Sequence, residues 1–492
     1  MAKEIELKLA LAEPAQRALL RHPLLRAATG RRTAQLDNIY YDTPDLALKK
    51  SGVAVRLRRQ GRAWLQTVKC AGSSAGGLST RPEWEVPYGG HFDFSGVDDE
   101  MVRARLEKRS ILSRLTPLFE TSFRRTSWRI GNVLVMLDRG WIAADGRREA
   151  VSEVELELAG GTVTELFAIA EALAERLPLM PAPLSKAERG FRLHLGTRAS
   201  PARAEAIPLD GAMAPEAAFR VIALSCLDQM QRNHAGAIVS DDPEYIHQLR
   251  VATRRLRAAL RLFGPVLPPG YADRMLPPLR AMMASLGRAR DLDVLLAEIC
   301  APVTAALPEE PRLSALAGIV TERRFGARRD AIRHLESPEF GRLMIGLAAA
   351  LHGPGSAPAA GTTTSEFARD RLRRLRRKVR RLAQEARTDD PASLHALRIG
   401  IKRLRYGLEF FAALAPGRRH HKLSAWLADL QDTLGELNDL ANAGQLLMDC
   451  AGSDMRLREA VTLIGGWHGP HHARLMARLP RLLRALGRLP AR

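Results

Sequence analysis

"KEIELKLA", residues 3–10, alternates strictly: Ile5, Leu7 and Leu9 share one face of a strand, and Glu4, Glu6 and Lys8 share the other, because strand side chains repeat every two residues. An edge strand with one solvated face accounts for such a pattern. So does a strand lining a polar interior, where carboxylates hold a metal ion and the lysine meets an anion. The neighbouring strands bear on the choice.

Residues 1–200 contain several short alternating runs separated by Gly-rich breaks, which predicts an antiparallel sheet or barrel. "SEVELEL" (152–158) sets Glu153, Glu155 and Glu157 opposite Val154, Leu156 and Leu158. "VRLRR" (55–59) aligns Arg56 with Arg58, and "RPEWEV" (81–86) aligns Arg81, Glu83 and Glu85. Lys69 ends "LQTVK", Arg124 and Arg125 sit in "FRRTSW", and Asp138 follows "VLVML". Several strands with one charged face each are hard to explain as wet surfaces; if they close into a barrel, those faces can line a hydrated lumen, with apolar faces packed outward on helices. Helical segments are expected near 12–26 and 162–176. A one-residue slip reverses the faces, so either Arg124 or Arg125 turns inward. Carboxylates at 4, 6, 153 and 155 form an oxygen-only donor set suited to Mg²⁺ or Mn²⁺ rather than zinc. Arginine and lysine on adjacent strands suit phosphate oxygens.

The ExExK of Glu4, Glu6 and Lys8 resembles the signature of the CYTH superfamily, the triphosphate tunnel metalloenzymes. "YYDTPD" (40–45), Arg56 and Arg58, Lys69, "RPEWEV", "LDRG" (137–140), "SEVELEL" and "SKAERG" (185–190) resemble its following motifs. The resemblance spans nearly all of residues 1–200 and implies an α+β domain built on an eight-stranded antiparallel tunnel. It implies metal ligands at Glu4, Glu6, Asp138, Glu153 and Glu155, and phosphate ligands at Lys8, Arg56, Arg58, Lys69, Arg125 and Lys186. Glu4, Glu6 and Lys8 are the expected catalytic group; Glu83, Glu85 and Glu157 share the same faces without an assigned role. The implied chemistry is metal-assisted phosphoryl transfer to water.

The whole chain of 492 residues carries 75 basic against 54 acidic side chains, a formal charge of +21. Such an excess points to polyanions. Four scattered cysteines form neither a disulfide framework nor a CxxC knuckle,. The N-terminus lacks a long apolar segment, and no run approaches the ~20 apolar residues that span a bilayer. A cytoplasmic protein without a membrane partner is expected, with association to polyphosphate granules as an option.

"GTRASPARAEAIPLDGAMAPEA" (196–217) is a Pro/Ala/Gly-rich connector, after which long helical patterns take over,. The second half repeats itself at an offset of 148: "HQLRVATRRLR" from His247 returns as "HALRIGIKRLR" from His395, "LGRARDL" from Leu286 as "LGELNDL" from Leu434, and Phe219 as Phe367. A duplicated all-α unit follows. The expected layout is a tunnel domain at 1–200, a linker at 201–215 and a helical domain at 216–490, with repeats at about 216–351 and 365–490 joined through 352–365. His247, Arg250, Arg254 and Arg257 fall on one helical stripe, and His395, Arg398, Lys402 and Arg405 repeat it,. A solvated helix face is the alternative, but its recurrence at matched places favours one groove for a long polyanion. The pattern resembles the CHAD domain, a conserved-histidine α-helical domain, which implies binding of inorganic polyphosphate. Asp291 and Asp439 read as groups that orient arginines. "RDRLRRLRRKVRRLAQ" (369–384) either adds to the groove or coats an exposed face. His420, His421 and the histidines of 468–472 read as surface or packing residues.

The two-part layout favours a metal-dependent inorganic triphosphatase that splits tripolyphosphate into diphosphate and phosphate, fused to a domain holding long-chain polyphosphate. A non-catalytic polyphosphate-binding protein, and a triphosphatase of an organic or RNA triphosphate, are the competing readings. The helical half has few aromatics and no stacking platform, which argues against nucleic acid,.

Overall fold

The computed structural model describes residues 3–353, 361–415 and 417–489. The chain forms two compact units: residues 1–201 with 335–354, and the remaining residues.

The first unit is a closed antiparallel barrel. Its strands are β1 (Lys3–Leu11), β2 (Thr29–Asp42), β3 (Val53–Gln60), β4 (Ala63–Cys70), β5 (Ser73–Ala75), β6 (Leu78–Pro87), β7 (Thr116–Ile130), β8 (Val133–Ala144), β9 (Arg147–Leu158) and β10 (Leu179–Pro181). Eight of them close a ring in the order β1-β9-β8-β7-β2-β3-β4-β6, sealed by β6 on β1; β5 and β10 flank it. The opening strand makes this closure possible because it is paired on both edges. Glu4 faces Arg81 and Glu6 faces Ser79 on β6, while Glu6 faces Glu157 and Lys8 faces Glu155 on β9.

The apolar halves of the alternating strands point outward and are covered. Leu7, Leu9, Val135, Leu137, Val154 and Leu156 are fully buried. The helix Val163–Ala174 packs on β9, within the expected segment. The expected helix near 12–26 is two short pieces, Gln16–Leu20 and Pro23–Ala27, split by Pro23 at the start of the second,. Over β3, β4 and β6 lies a layer the sequence pattern did not reveal, in which Phe94, Val97 and Leu106 close over Val55, Val68 and Trp84. Asp99 caps its helix Glu100–Leu106, accepting from the Met101 and Val102 N–H groups,.

Residues 335–354 depart from the expected domain limits. The helix Pro338–His352 falls within the sequence of the first helical repeat, yet it packs on Val163–Ala174 and β10. A Cβ at Gly341 would lie 2.2 Å from the Leu179 carbonyl oxygen, so only glycine allows this approach,. His352 stacks on Phe167 at 5.8 Å, and its Nε2 lies 2.9 Å from the Ala75 carbonyl.

The second unit is all helical. Pro215–Val239 and Glu244–Phe263 form an antiparallel pair, and Thr364–Glu385 with Pro391–Phe410 form its counterpart. Arg418–Ala451 and Met455–Gly487 complete the second copy's core. The copies meet on an aromatic cluster of two equivalent pairs. Phe263 stacks on Phe367 at 5.0 Å, and Phe219 and Phe411 flank them. Residues 354–360 of the expected joint lie outside the described residues.

Replacing Gly341 by valine should force the helix Pro338–His352 off β10, costing the barrel unit about 1–3 kcal/mol, the usual size of overpacking. Chemical denaturation followed by Trp fluorescence checks this. An unchanged midpoint would show that the helix is not part of the barrel's stable core.

Candidate functional site: a charged tunnel and a doubled basic stripe

The inward positions of the barrel enclose a cavity of about 830 Å³ whose walls include Glu4, Glu6, Lys8, Arg56, Arg58, Lys69. Arg81, Arg125, Glu155, Glu157 and Lys186 also line it. Asp138 and Glu153 do not reach the cavity wall and are buried beside it. The register answers the question left by "FRRTSW": Arg125 pairs across β7 and β8 with Asp138 and turns inward, while Arg124 is exposed.

Two ion-pair systems organise the interior. In the first, Arg125 donates from Nε and Nη2 to the two Asp138 oxygens at 2.7 Å each, and from Nη2 to Glu155 at 2.6 Å. Lys186 Nζ contacts Asp138 at 2.7 Å, Glu155 at 3.0 Å and Glu153. Burial opposes the Lys186 charge, but the three carboxylates hold its ammonium protonated far above the usual lysine range. Burial likewise opposes the Glu155 charge, yet Lys186, Arg125 and Lys8 keep that carboxyl well below its ordinary range. Asp138, Glu153 and Glu155 each offer an oxygen within 4.8 Å of the others. This hard, oxygen-only set can coordinate a divalent cation.

In the second system, Lys69 and Arg81 bracket Glu4, each at 2.9 Å, Arg81 also reaches Glu6, and Lys8 lies 2.7 Å from Glu6. Arg56 approaches Glu83 at 3.3 Å, and Arg58 donates to Asn38 at 3.0 Å. Burial, then the nearby Arg56 and Arg125, pull the Arg58 proton affinity down to about 10, although Glu85 stands 3.7 Å away and acts in the opposite sense,. Glu157 carries the opposite excess. Among the described residues no ion pair holds it, and burial, then Glu4 and Glu6, push its carboxyl up to about 7. The five expected metal ligands are thus split between two places, and Glu157 is the carboxylate that faces Glu4 and Glu6.

The motifs have local physical causes. In "SKAERG", Ser185 and Glu188 form a capping box that starts the helix Lys186–Leu195,. Lys186 enters the tunnel from that first turn, Arg189 donates to Glu149 at 2.7 Å, and a Cβ at Gly190 would strike the Phe119 ring at 2.1 Å. In "YYDTPD", Asp42 accepts from the Leu48 and Lys49 N–H groups at 2.9 and 2.8 Å, so it shapes a turn, while Tyr40 meets Arg56. Arg81, Glu83, Glu85 and Glu157 are interior groups that the sequence reading left without a role; their place on the alternation of β6 and β9 was the available signal.

In the helical unit the two stripes converge. Arg254 of the first copy acts electrostatically on Arg398 and Lys402 of the second. His247 is half-buried, and burial followed by Arg290 pulls its proton affinity down to about 4; His395 is exposed. Arg250 lies 3.9 Å from Asp291, and Asp439 acts on Arg398 and Asp291, so both aspartates sit against the basic face. The Nε atoms of Arg250, Arg257, Arg398 and Arg405 are buried without a hydrogen-bond partner.

Lys402 gives a pH dependence with a definite sign. Burial, then Arg398 and Arg254, lower its proton affinity from 10.5 to about 8. Between those values the unfolded chain binds the extra proton, so the helical unit should gain stability as pH rises through that window. Urea unfolding from pH 7.5 to 10.5 should show the gain in wild type and a smaller one in Lys402→Met; equal slopes would refute the assignment.

Residues 2–191 match the CYTH domain family and residues 221–448 the CHAD domain family. An inorganic triphosphatase of Haemophilus influenzae is 31% identical over 198 residues, covering 39% of this chain and 55% of that protein. The chain therefore spans about half the length of that curated relative. The crystal structure of the CHAD domain from the plant Ricinus communis matches with a TM-score of 0.53 and 35% identity, covering 59% of this chain and 98% of that one. Fold and matches agree: the chain carries an N-terminal CYTH domain followed by a C-terminal CHAD domain.

Proposed function

We propose that the barrel hydrolyses inorganic tripolyphosphate to diphosphate and phosphate with Mg²⁺ or Mn²⁺, and that the helical unit holds long-chain polyphosphate. The carrying observation is the tunnel's divided charge: a crowd of cations around Arg58, and a carboxylate at Glu157 that has no ion-pair partner among the described residues, share one cavity of about 830 Å³. A linked phosphate chain answers the first and a divalent cation the second. The Haemophilus relative's description as an inorganic triphosphatase supports the substrate class.

On this reading Lys8, Arg56, Arg58, Lys69, Arg125 and Lys186 grip phosphoryl oxygens, with the arginines able to make bidentate contacts. Glu4, Glu6 and Glu157 would hold one metal ion, and Asp138, Glu153 and Glu155 offer a second oxygen set. A bound divalent ion would neutralise charge on the phosphate chain and help orient water. Arg81 positions Glu4 and Glu6. Glu157, with proton affinity near neutrality, is suited to accept a proton from water when it is not occupied by metal,. Water adds to the terminal phosphorus, the bond to the bridging oxygen breaks, and diphosphate leaves with that electron pair. Binding lets each cation trade its carboxylate partner for a phosphoryl oxygen, which lowers the desolvation cost of filling the tunnel.

Phosphate release from tripolyphosphate should require Mg²⁺ or Mn²⁺, vanish with chelator, and fall about 100-fold or more in Glu6→Gln, the usual effect of losing a positioned electrostatic group. Release that ignores chelator and mutation would end the proposal. Absence of release with tight tripolyphosphate binding would favour the non-catalytic reading, and preferential turnover of ATP or RNA 5′-triphosphate an organic substrate. In the helical unit, Arg254→Glu should weaken polyphosphate binding and flatten its salt dependence, because that residue acts on the stripes of both copies,. Unaltered binding would remove the stripes from the site.

A further inference from the structure

The internal duplication provides its own control for a second basic site. At the offset of 148, Arg255 corresponds to Arg403 and Glu409 to Arg261. The first combination is a finished ion pair: Arg255 is almost fully buried and donates from Nε to Glu409 at 2.7 Å and from Nη1 to Gln229 at 2.8 Å. Cys226 lies beside that pair.

The equivalent place has the opposite character. Arg403 faces Arg261, where the other copy supplies a carboxylate. The adjoining helix changes in the same sense: Ala223, Cys226 and Met230, all buried, are replaced by Arg371, Arg374 and Lys378. Instead of a closed contact there is a cavity of about 220 Å³, lined by Arg261, Arg371, Arg374, Lys378 and Arg403 and floored by Tyr406 and Phe410. Asp370 neutralises Arg374 at 2.7 Å. Among the described residues no carboxylate stands within ion-pair distance of Arg261, Arg371, Lys378 or Arg403. Arg371 Nε is buried without a partner. Burial, then Arg257 and Arg403, lower the Arg261 proton affinity. The run 369–384 is thereby divided: the half-buried Arg371 and the exposed Arg374 and Lys378 line the cavity, while Arg373 and Arg377, also exposed, do not.

We infer that this cavity is a binding site for a compact phosphoryl anion of the size of inorganic pyrophosphate, which takes the place of the carboxylate that Glu409 provides in the other copy. Arginine forks suit phosphoryl oxygens, and five cations with one acid leave charge for a di- or trivalent anion. The inference rests on the helical unit alone and does not depend on hydrolysis in the tunnel.

The test is calorimetric titration of the full-length chain with pyrophosphate and, separately, with long-chain polyphosphate. Arg261→Glu restores the carboxylate of the other copy and should pair with Arg403, so the variant is expected to fold and to lose one pyrophosphate site relative to wild type. Arg371→Ala should weaken that site about tenfold, the loss of a charge-assisted hydrogen bond. An unchanged pyrophosphate stoichiometry in Arg261→Glu overturns the inference. Weakened binding of long chains with unchanged pyrophosphate binding also overturns it, because the cavity would then be a stretch of the chain-binding face. Circular dichroism of both variants separates loss of the site from loss of the fold.

Discussion

Charges on the inside of a closed barrel are costly unless matched, and here all but a few, Glu157 among them, are matched where they stand,. Period-two alternation sends Leu7, Leu9, Val154 and Leu156 outward into the packed layer and turns Glu4, Glu6, Lys8, Glu153 and Glu155 to the barrel's inner side. An unmatched carboxylate there would cost several kcal/mol. The lysines and arginines of the motifs meet that requirement before any substrate does. Lys186 crosses from a helix to three carboxylates, Arg125 reaches two of them, and Arg81 ties β6 to Glu4 and Glu6 on β1, the strand pairing that seals the ring. The groups proposed to act on phosphate are therefore also the ones that offset most of the barrel's interior carboxylates.

The helical unit uses duplication differently. Equivalent phenylalanines from both copies build one aromatic core, so the symmetry is kept where packing is at stake. It is relaxed beside that core, where a buried arginine paired with a glutamate in one place becomes facing arginines in the other.

Much of this was legible in the sequence for a simple reason: alternation is a local signal. Glu4, Glu6 and Lys8 declared their common face without knowledge of any partner strand, and the His247 and His395 stripes did the same at helical spacing. What could not be read was register and long-range packing. Arg124 and Arg125 were indistinguishable until β7 was seen beside β8. The grouping of Asp138 with Glu153 and Glu155, and of Glu157 with Glu4 and Glu6, depends on which strands are neighbours. The helix Pro338–His352 reads as part of the helical repeat, and only the close approach at Gly341 reveals its place on β10. Arg261 was unremarked because its meaning lies in the comparison with Glu409.

The central claim is that the tunnel binds metal and triphosphate as one charge-balanced unit. The most direct measurement is the affinity for a non-hydrolysable imido-bridged tripolyphosphate at rising Mn²⁺, together with the affinity for Mn²⁺ at rising analogue. The account predicts that each strengthens the other by the same factor, as linkage requires, and that Glu157→Gln reduces that factor. Independent binding of the two, or coupling untouched by the substitution, would contradict it.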